Sequence, residues 1–453
     1  MFDLILHGGT LISPHNKTKA DIAVKAGKIA AIGSEIPQMG SAKTIDVSGK
    51  YIFPGCIDSH MHLWEPGQIA HYDFSDGTRG SAAQGVTTVI DHPLTIPEVL
   101  NADIFREKVG IGERTSYTDF ALHAGIGQDN FSEIEALWEA GCTAFKIFMC
   151  ESGSRVNGQD SGRMLEALQR IGKLGGTVVL HCENNEMLNF NEMKLRNTGR
   201  KDMQAFLEWR PPIVETEAIH RALFLLRDTG TRAVFAHTTV PEGVAMISRA
   251  RESGLDVWTE TCAHNLYLTT EDLSEKGAWV SYAPPVRDPK RLCGLWECLK
   301  RGEIQTVGSD HCSVDPELKR KAETDMWEHL FGVPDGETLV PLMLNAVATG
   351  RISAEKMSEV LSANPAKIYG LYPRKGVIAI GSDADFTIAD METEYTLQAE
   401  NMYTACKWIP YEGMRVKGQV AYTILRGKVI SERGRITGEP GDGKFYRREF
   451  NNQ

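Results

Sequence analysis

The sequence predicts a (β/α)8 barrel that carries a small β-sandwich built from both ends of the chain. Three observations predict it. From about residue 52 to 370, eight short apolar runs alternate with longer amphipathic stretches. Residues 1–51 and 372–453 read instead as strands joined by tight glycine turns. No G-x-G-x-x-G follows the first strand of the alternating region, which ranks a doubly wound open sheet below the barrel.

The elements follow in order. "FDLILHGGTLIS", "ADIAVKAGKIAAIG" and "KTIDVSGKYIFPG" combine alternation, β-branched residues and glycine turns, the marks of short hairpin strands. Eight candidate barrel strands come next, at 52–58, 87–91, 120–126, 143–149, 177–183, 232–239, 256–262 and 304–310. Segments such as "NFSEIEALWEAG" and "TEAIHRALFLLRDTG" place apolar residues at helical spacing between them. The hairpin texture returns in "KGVIAIGSDADFTIAD" and "VAYTILRGKVISERGRIT". The expected domains are therefore a composite β-sandwich at 1–51 plus 372–453 and a catalytic barrel at 52–371.

Composition narrows the function classes. A net charge of −11 over 453 residues argues against nucleic acid or an anionic membrane as partner. No apolar run reaches the roughly 18 residues of a membrane span, and the opening "MFDLILHGGT" lacks the basic and apolar regions of a signal peptide. The nine cysteines form no C-x-x-C pair and read as reduced thiols of a cytoplasmic protein.

A barrel keeps its active site at the C-terminal ends of its strands. The first strand ends in "HMH", where His60 and His62, two apart, share one face. The fourth carries Lys146, the fifth ends in His181, the sixth in His237 and the eighth in Asp310. Four imidazoles and a carboxylate on one rim suit Zn²⁺ or a related divalent ion. Each alone has a plain structural reading, Asp310 as a helix N-cap among them. Lys146 has two readings. Burial among cations would leave its amine neutral and able to capture CO2 as an anionic carbamate; alternatively it pairs with Glu183 or snorkels to the rim.

The motifs "DSHMH", "AFKIFM", "LHCEN", "AHTT", "ETCAH", "YAPPVRD" and "GSDH" together resemble the cyclic amidohydrolase branch of the amidohydrolase superfamily: hydantoinases, dihydropyrimidinases, allantoinases and dihydroorotases. The likeness runs through essentially the whole chain. It implies two divalent metal ions, Zn²⁺ first, with Mn²⁺, Co²⁺ or Fe²⁺ as options. His60, His62 and Asp310 would hold one ion and His181 and His237 the other. N6-carboxylated Lys146 and a hydroxide would bridge them, and Asp310 would shuttle the proton during opening of a cyclic amide. The resemblance also implies a homotetramer, or a dimer.

Departures from the family pattern address the substrate. Trp64 stands where dihydroorotases usually place the arginine that binds a substrate carboxylate, which argues against that activity. Glu151 stands five residues after Lys146, where dihydropyrimidinases and D-selective hydantoinases usually carry an oxyanion-supporting tyrosine. Allantoinases and L-type hydantoinases also lack that tyrosine. The expected substrate is thus a small five-membered cyclic ureide, allantoin or a hydantoin, with dihydrouracil-type rings as the alternative. Trp64 and Glu151 are expected to line the pocket, and main chain at Ala283 and from Gly332 to Asp335 to hold the substrate amide. A one-metal deaminase has no need of Lys146, and a non-catalytic relative would have lost ligands that this chain keeps.

Overall fold

The computed structural model describes residues 1–449 apart from 39–40, 68–72, 158–159 and 329–330. Its centre is a parallel barrel of eight strands: β1 (Cys56–His62), β2 (Val86–Asp91), β3 (Asp119–Leu122, continuing at Ala124–Gly125), β4 (Phe145–Phe148), β5 (Thr177–His181), β6 (Arg232–Phe235), β7 (Val257–Cys262) and β8 (Thr306–Gly308, continuing at His311–Cys312). Every neighbouring pair is parallel, and His311 opposite Met61 closes β8 onto β1. Almost every residue of these strands is buried, as a barrel covered by helices outside and side chains inside requires.

The helices between strands carry ordinary start and stop signals. Asn101 caps Ala102–Thr115, Asp160 caps Ser161–Lys173 and Asp288 caps Pro289–Arg301, each side chain accepting from first-turn amides. Their apolar stripes pack on the barrel. In Ser161–Lys173 the stripe is Met164, Ala167, Leu168 and Ile171.

Both ends of the chain meet in one nine-stranded sheet. Its order runs Arg435–Ile436, Lys428–Glu432, Arg415–Leu425, Phe386–Thr396, Tyr51–Pro54, Leu4–Ile12, Lys17–Lys25 and Lys28–Gly33, with Thr44–Asp46 also paired to Leu4–Ile12. A separate apolar core that includes Leu6, Ile22, Val24, Ile52, Phe386 and Ile424 holds it. The expected first barrel strand at 52–58 is in fact two strands. Tyr51–Pro54 belongs to the terminal sheet, and β1 starts at Cys56. Gly55 makes the hand-over: its amide donates to the Asp385 carbonyl, and a Cβ there would lie 2.1 Å from Thr87 Oγ1. Only glycine lets the two sheets approach so closely.

Below the barrel, Lys375 sits among Asp119, Asp383 and Asp385, and Arg426 also pairs with Asp119. This buried cluster ties the terminal sheet to β3. Its three carboxylates already share a cation, so they are structural.

Candidate metal centre and active site

The strand ends bring the expected ligands together. His60 and His62 project from the end of β1, Lys146 from β4, His181 from the end of β5, and His237 from two residues beyond β6. Asp310 lies in the break between the two parts of β8. His237 and Asp310 adopt φ of 35° and 52°, a left-handed backbone that non-glycine residues seldom take. Such strain is characteristic of functional sites.

The imidazole tautomers follow from their partners. Glu260, from β7, lies 2.6 Å from His60 Nδ1, and its second oxygen accepts from Ser59 Oγ at 2.8 Å. A carboxylate only accepts, so His60 Nδ1 carries the proton and Nε2 presents its lone pair to the site. That Nε2 is 3.2 Å from Asp310 Oδ1, and His62 Nε2 is 3.3 Å from the same oxygen. On the other side Glu183 Oε2 lies 2.8 Å from His181 Nε2. His181 Nδ1 therefore faces inward, 3.0 Å from His237 Nε2. Ligands about 2.0–2.2 Å from one tetrahedral ion stand roughly 3.3–3.6 Å apart. The first group, at 3.2 and 3.3 Å, sits at the short edge of that spacing, and the second, at 3.0 Å, is closer still. A carboxylate-backed imidazole is the usual companion of a bound metal.

Electrostatics agree. Burial pushes the Asp310 carboxyl up, but His60, His62 and His237 pull it well below the ordinary range, so it is ionised. Burial lowers His62 to about 4 and also lowers His181 and His237, leaving neutral rings with lone pairs to give. Lys146 is fully buried, and its Nζ makes no hydrogen bond among the described residues. It lies 4.9 Å from the Phe148 ring centroid. Burial brings the amine down to about 8, while Asp310 and Glu260 pull it upward. Desolvation thus carries the depression, with no need for the like-charge repulsion that the sequence suggested. The alternative pairing of Lys146 with Glu183 does not form, because Glu183 is held by His181 and Arg210.

A cavity of about 410 Å³ opens above these ligands. Trp64, Glu151, Ala283 and Gly332 are among the residues that line it. Asp335 is not. Its side chain is enclosed behind the wall, where it accepts from the Tyr282 hydroxyl at 2.8 Å and stands 3.3 Å from His264. His264 stacks on Tyr282 at 3.6 Å. Much of the cavity wall is apolar: Leu94, Phe148, Leu188, Trp209 and Phe331.

Sequence reading did not single out Glu260, Arg210, His92 or His123. Glu260 had a signal, since it shares with Cys262 the inward phase of β7 in "ETCAH". Arg210 had none; it reaches Glu183 from a loop 27 residues away. Arg287 backs it by donating to the Arg210 carbonyl at 2.6 Å and to Glu215 at 3.0 Å. Cys150 stands with His181 and Glu183 in a triad of metal-ligand types. Burial holds its thiol far up, so it stays a neutral core group.

Comparisons with known proteins give the family. The pattern that defines the amidohydrolase family matches residues 51–430. An L-hydantoinase of Paenarthrobacter aurescens is 36% identical over 451 residues, with 99% of this chain and 98% of that protein covered. An allantoinase of Deinococcus radiodurans is 35% identical, with 97% of each covered. Among solved structures, the L-hydantoinase (dihydropyrimidinase) from Arthrobacter aurescens superposes with a TM-score of 0.96 at 36% identity, covering 99% of this chain and all of that one.

Proposed function

Because the chain belongs to the amidohydrolase family, a family of metal-dependent hydrolases whose members here act on cyclic amides, we propose that it opens the ring of a five-membered cyclic ureide. The observation that carries this reading is the pair of donor groups on one barrel rim, His60, His62 and Asp310 beside His181 and His237, with the buried amine of Lys146 between the opposing strands.

These residues would hold two divalent ions, Zn²⁺ first, with Mn²⁺, Co²⁺ or Fe²⁺ accepting the same donors. Bound there, such ions lower the pKa of a water toward about 7 and polarise a carbonyl. Lys146 contributes by adding CO2: its amine forms an N–C bond, releases a proton and becomes an anionic carbamate with two donor oxygens. Its depressed pKa supports this, since only the neutral amine reacts. Asp310, ionised and at the pocket floor, accepts the proton of the attacking water and returns it to the leaving ring nitrogen. Glu260 and Glu183 hold His60 and His181 in the tautomers whose lone pairs face inward.

For the substrate, the absence of an arginine at Trp64 counts against dihydroorotate, and Glu151 in place of tyrosine counts against a standard dihydropyrimidinase. Main-chain groups at Ala283 and Gly332 border the cavity and would hold the substrate amide. Between allantoin and a hydantoin, the apolar wall of Leu94, Phe148, Leu188, Trp209 and Phe331 favours a hydantoin with an apolar 5-substituent. Allantoin's polar ureido group would have to turn from that wall to the polar side of the cavity, where Ser152, Asn185, Asn189 and Glu192 stand. The L-hydantoinase and allantoinase relatives support the five-membered ring.

We also read the enzyme as a cytoplasmic homotetramer or dimer with no nucleic-acid partner. Among the described residues, no helix is long and apolar enough to cross a membrane.

Ring opening by purified, metal-analysed protein tests the reading, with allantoin, hydantoin, 5-benzylhydantoin, dihydrouracil and dihydroorotate compared by kcat/KM. Five-membered rings should lead, with 5-benzylhydantoin ahead of allantoin. A clear lead for dihydrouracil would turn the assignment to a dihydropyrimidinase. Two metals per chain with no turnover of any of the five would refute it.

A further inference from the structure

The two stretches of main chain that border the cavity share one support. Tyr282 precedes Ala283 and itself lines the cavity, and its hydroxyl donates to Asp335 Oδ2 at 2.8 Å. Asp335 belongs to the loop that begins at Gly332, and the Gly332 amide donates to the Ser281 carbonyl at 3.3 Å. Segments 281–283 and 332–335 are therefore tied twice, once through main chain and once through a carboxylate. The Tyr282 ring is also held in its plane. It stacks on His264 with planes 16° from parallel, and His264 Nδ1 stands 3.3 Å from the same Asp335 oxygen.

The terminal sheet backs the same point. Residues 397–414 join its strands Phe386–Thr396 and Arg415–Leu425 and reach the cavity wall on the way. Trp408 Nε1 donates at 3.0 Å to the carbonyl of Val314, which lines the cavity. The Tyr411 hydroxyl lies 3.5 Å from Asp335 Oδ2. Tyr282, His264, Asp335 and Tyr411 are all buried. Burial first, and then Asp335, raises both tyrosines well above their ordinary range, so both keep the proton that they offer the carboxylate.

A leucine at 335 would fill the space behind the wall without desolvating a carboxylate. What the carboxylate adds is direction. It holds the Tyr282 hydroxyl at a set place relative to Gly332, and so sets Ala283, one residue on. Substrate misplaced by about 1 Å can cost about 10²-fold in rate, so the separation of the two main-chain walls matters.

We propose that Asp335 is a positioning residue for the substrate: through Tyr282 it sets Ala283, through its own loop it sets Gly332, and so it fixes the two main-chain walls against each other. That role rests on the substrate reading above, in which main chain at Ala283 and Gly332 holds the ring amide.

Steady-state kinetics on a double-mutant cycle test it. Tyr282→Phe, Asp335→Leu, the double variant and Asp335→Asn are compared with wild type, with metal per chain counted, on whichever of the five rings wild type opens fastest. Tyr282→Phe keeps the stack on His264 and removes only the hydroxyl. It should raise KM about three- to tenfold, the scale of one buried hydrogen bond. The walls hold substrate and transition state alike, so kcat should change less than KM, and metal content should not change. Asp335→Leu should raise KM at least as much. Both residues act through one bond, so the double variant should be no worse than Asp335→Leu alone. Asp335→Asn, whose amide oxygen still accepts from Tyr282, should keep KM close to wild type. A role in stability alone would lower the unfolding midpoint and leave KM unchanged. That result in folded, metal-replete Tyr282→Phe overturns the inference, even where Asp335→Leu does not fold, and so do additive KM effects in the cycle. In either case an active wild type leaves the proposed function standing. If wild type opens none of the five rings, the proposed function fails and this inference falls with it.

Discussion

Removing the carboxylate of Glu260 should weaken metal binding without touching a metal ligand. Glu260 and His60 are both fully buried, and the Oε1 to Nδ1 distance is 2.6 Å. Glu260 Oε2 also takes the Ser59 hydroxyl at 2.8 Å. A hydrogen bond to an ionised, buried partner is worth about 1.5–3 kcal/mol net. Outer-shell partners of metal-bound histidines are worth about 10–100-fold in affinity, or about 1.4–2.7 kcal/mol. The two routes agree. Glu260→Gln keeps the shape and one acceptor for His60 Nδ1, so affinity should fall about tenfold. Glu260→Ala leaves His60 Nδ1 unpaired and Ser59 Oγ with only Thr306 Oγ1, at 3.2 Å, and the loss should approach about 100-fold. Competition titration of zinc against a chromophoric chelator, with metal per chain counted in parallel, reads both values. Unchanged zinc affinity in two variants with native circular dichroism would refute the argument that Glu260 sets the His60 tautomer for a metal.

The other predictions concern the remaining machinery and one group outside it. Lys146→Ala should lose nearly all activity and bind fewer than two metals per chain, with partial rescue by added acetate or propionate; full activity without rescue would exclude the carbamate. Asp310→Asn should cut kcat by roughly 10²–10⁴-fold while at least one metal stays bound, and unimpaired turnover would remove Asp310 as proton carrier. Lys319 is buried, 3.1 Å from Ser281 Oγ, and burial lowers its amine to about 7. Between that value and the unfolded lysine near 10.5, the unfolded chain binds one more proton. Stability from this group therefore rises with pH above 7 and is lost as pH falls through 7, by up to about 1.4 kcal/mol per unit. Urea unfolding at pH 7 and 9 should show that slope in wild type and lose it in Lys319→Met; equal slopes would mean that the amine stays charged in the fold.

Much of the site was legible because a barrel converts strand order into geometry. Once eight strands were counted, the residue at each strand end was placed on one rim, and His60, His62, Lys146, His181, His237 and Asp310 could be grouped from their positions alone. The strand boundaries were less legible. The run at 52–58 is one apolar stretch in sequence, and its division at Gly55 depends on Thr87 and Asp385, which lie far along the chain. The direction of the Asp335 side chain was not legible for a similar reason. The segment from Gly332 to Asp335 reads as one loop, but the Tyr282 hydroxyl draws the Asp335 carboxylate behind the wall that Gly332 lines.

The sequence by itself determined the fold class, the donor types on the rim and the depressed state of a lysine in an apolar strand, because each depends on local pattern or on burial that the pattern implies. Tertiary structure decided how those donors are used. Which nitrogen of His60 faces the site depends on Glu260, 200 residues away, and Arg210 rather than Lys146 neutralises Glu183. The Glu260–His60 contact exists only after β8, between β7 and β1, closes the barrel. Hydrogen bonds act over about 3 Å, and no periodicity along the chain encodes which distant groups the closed barrel brings within that range.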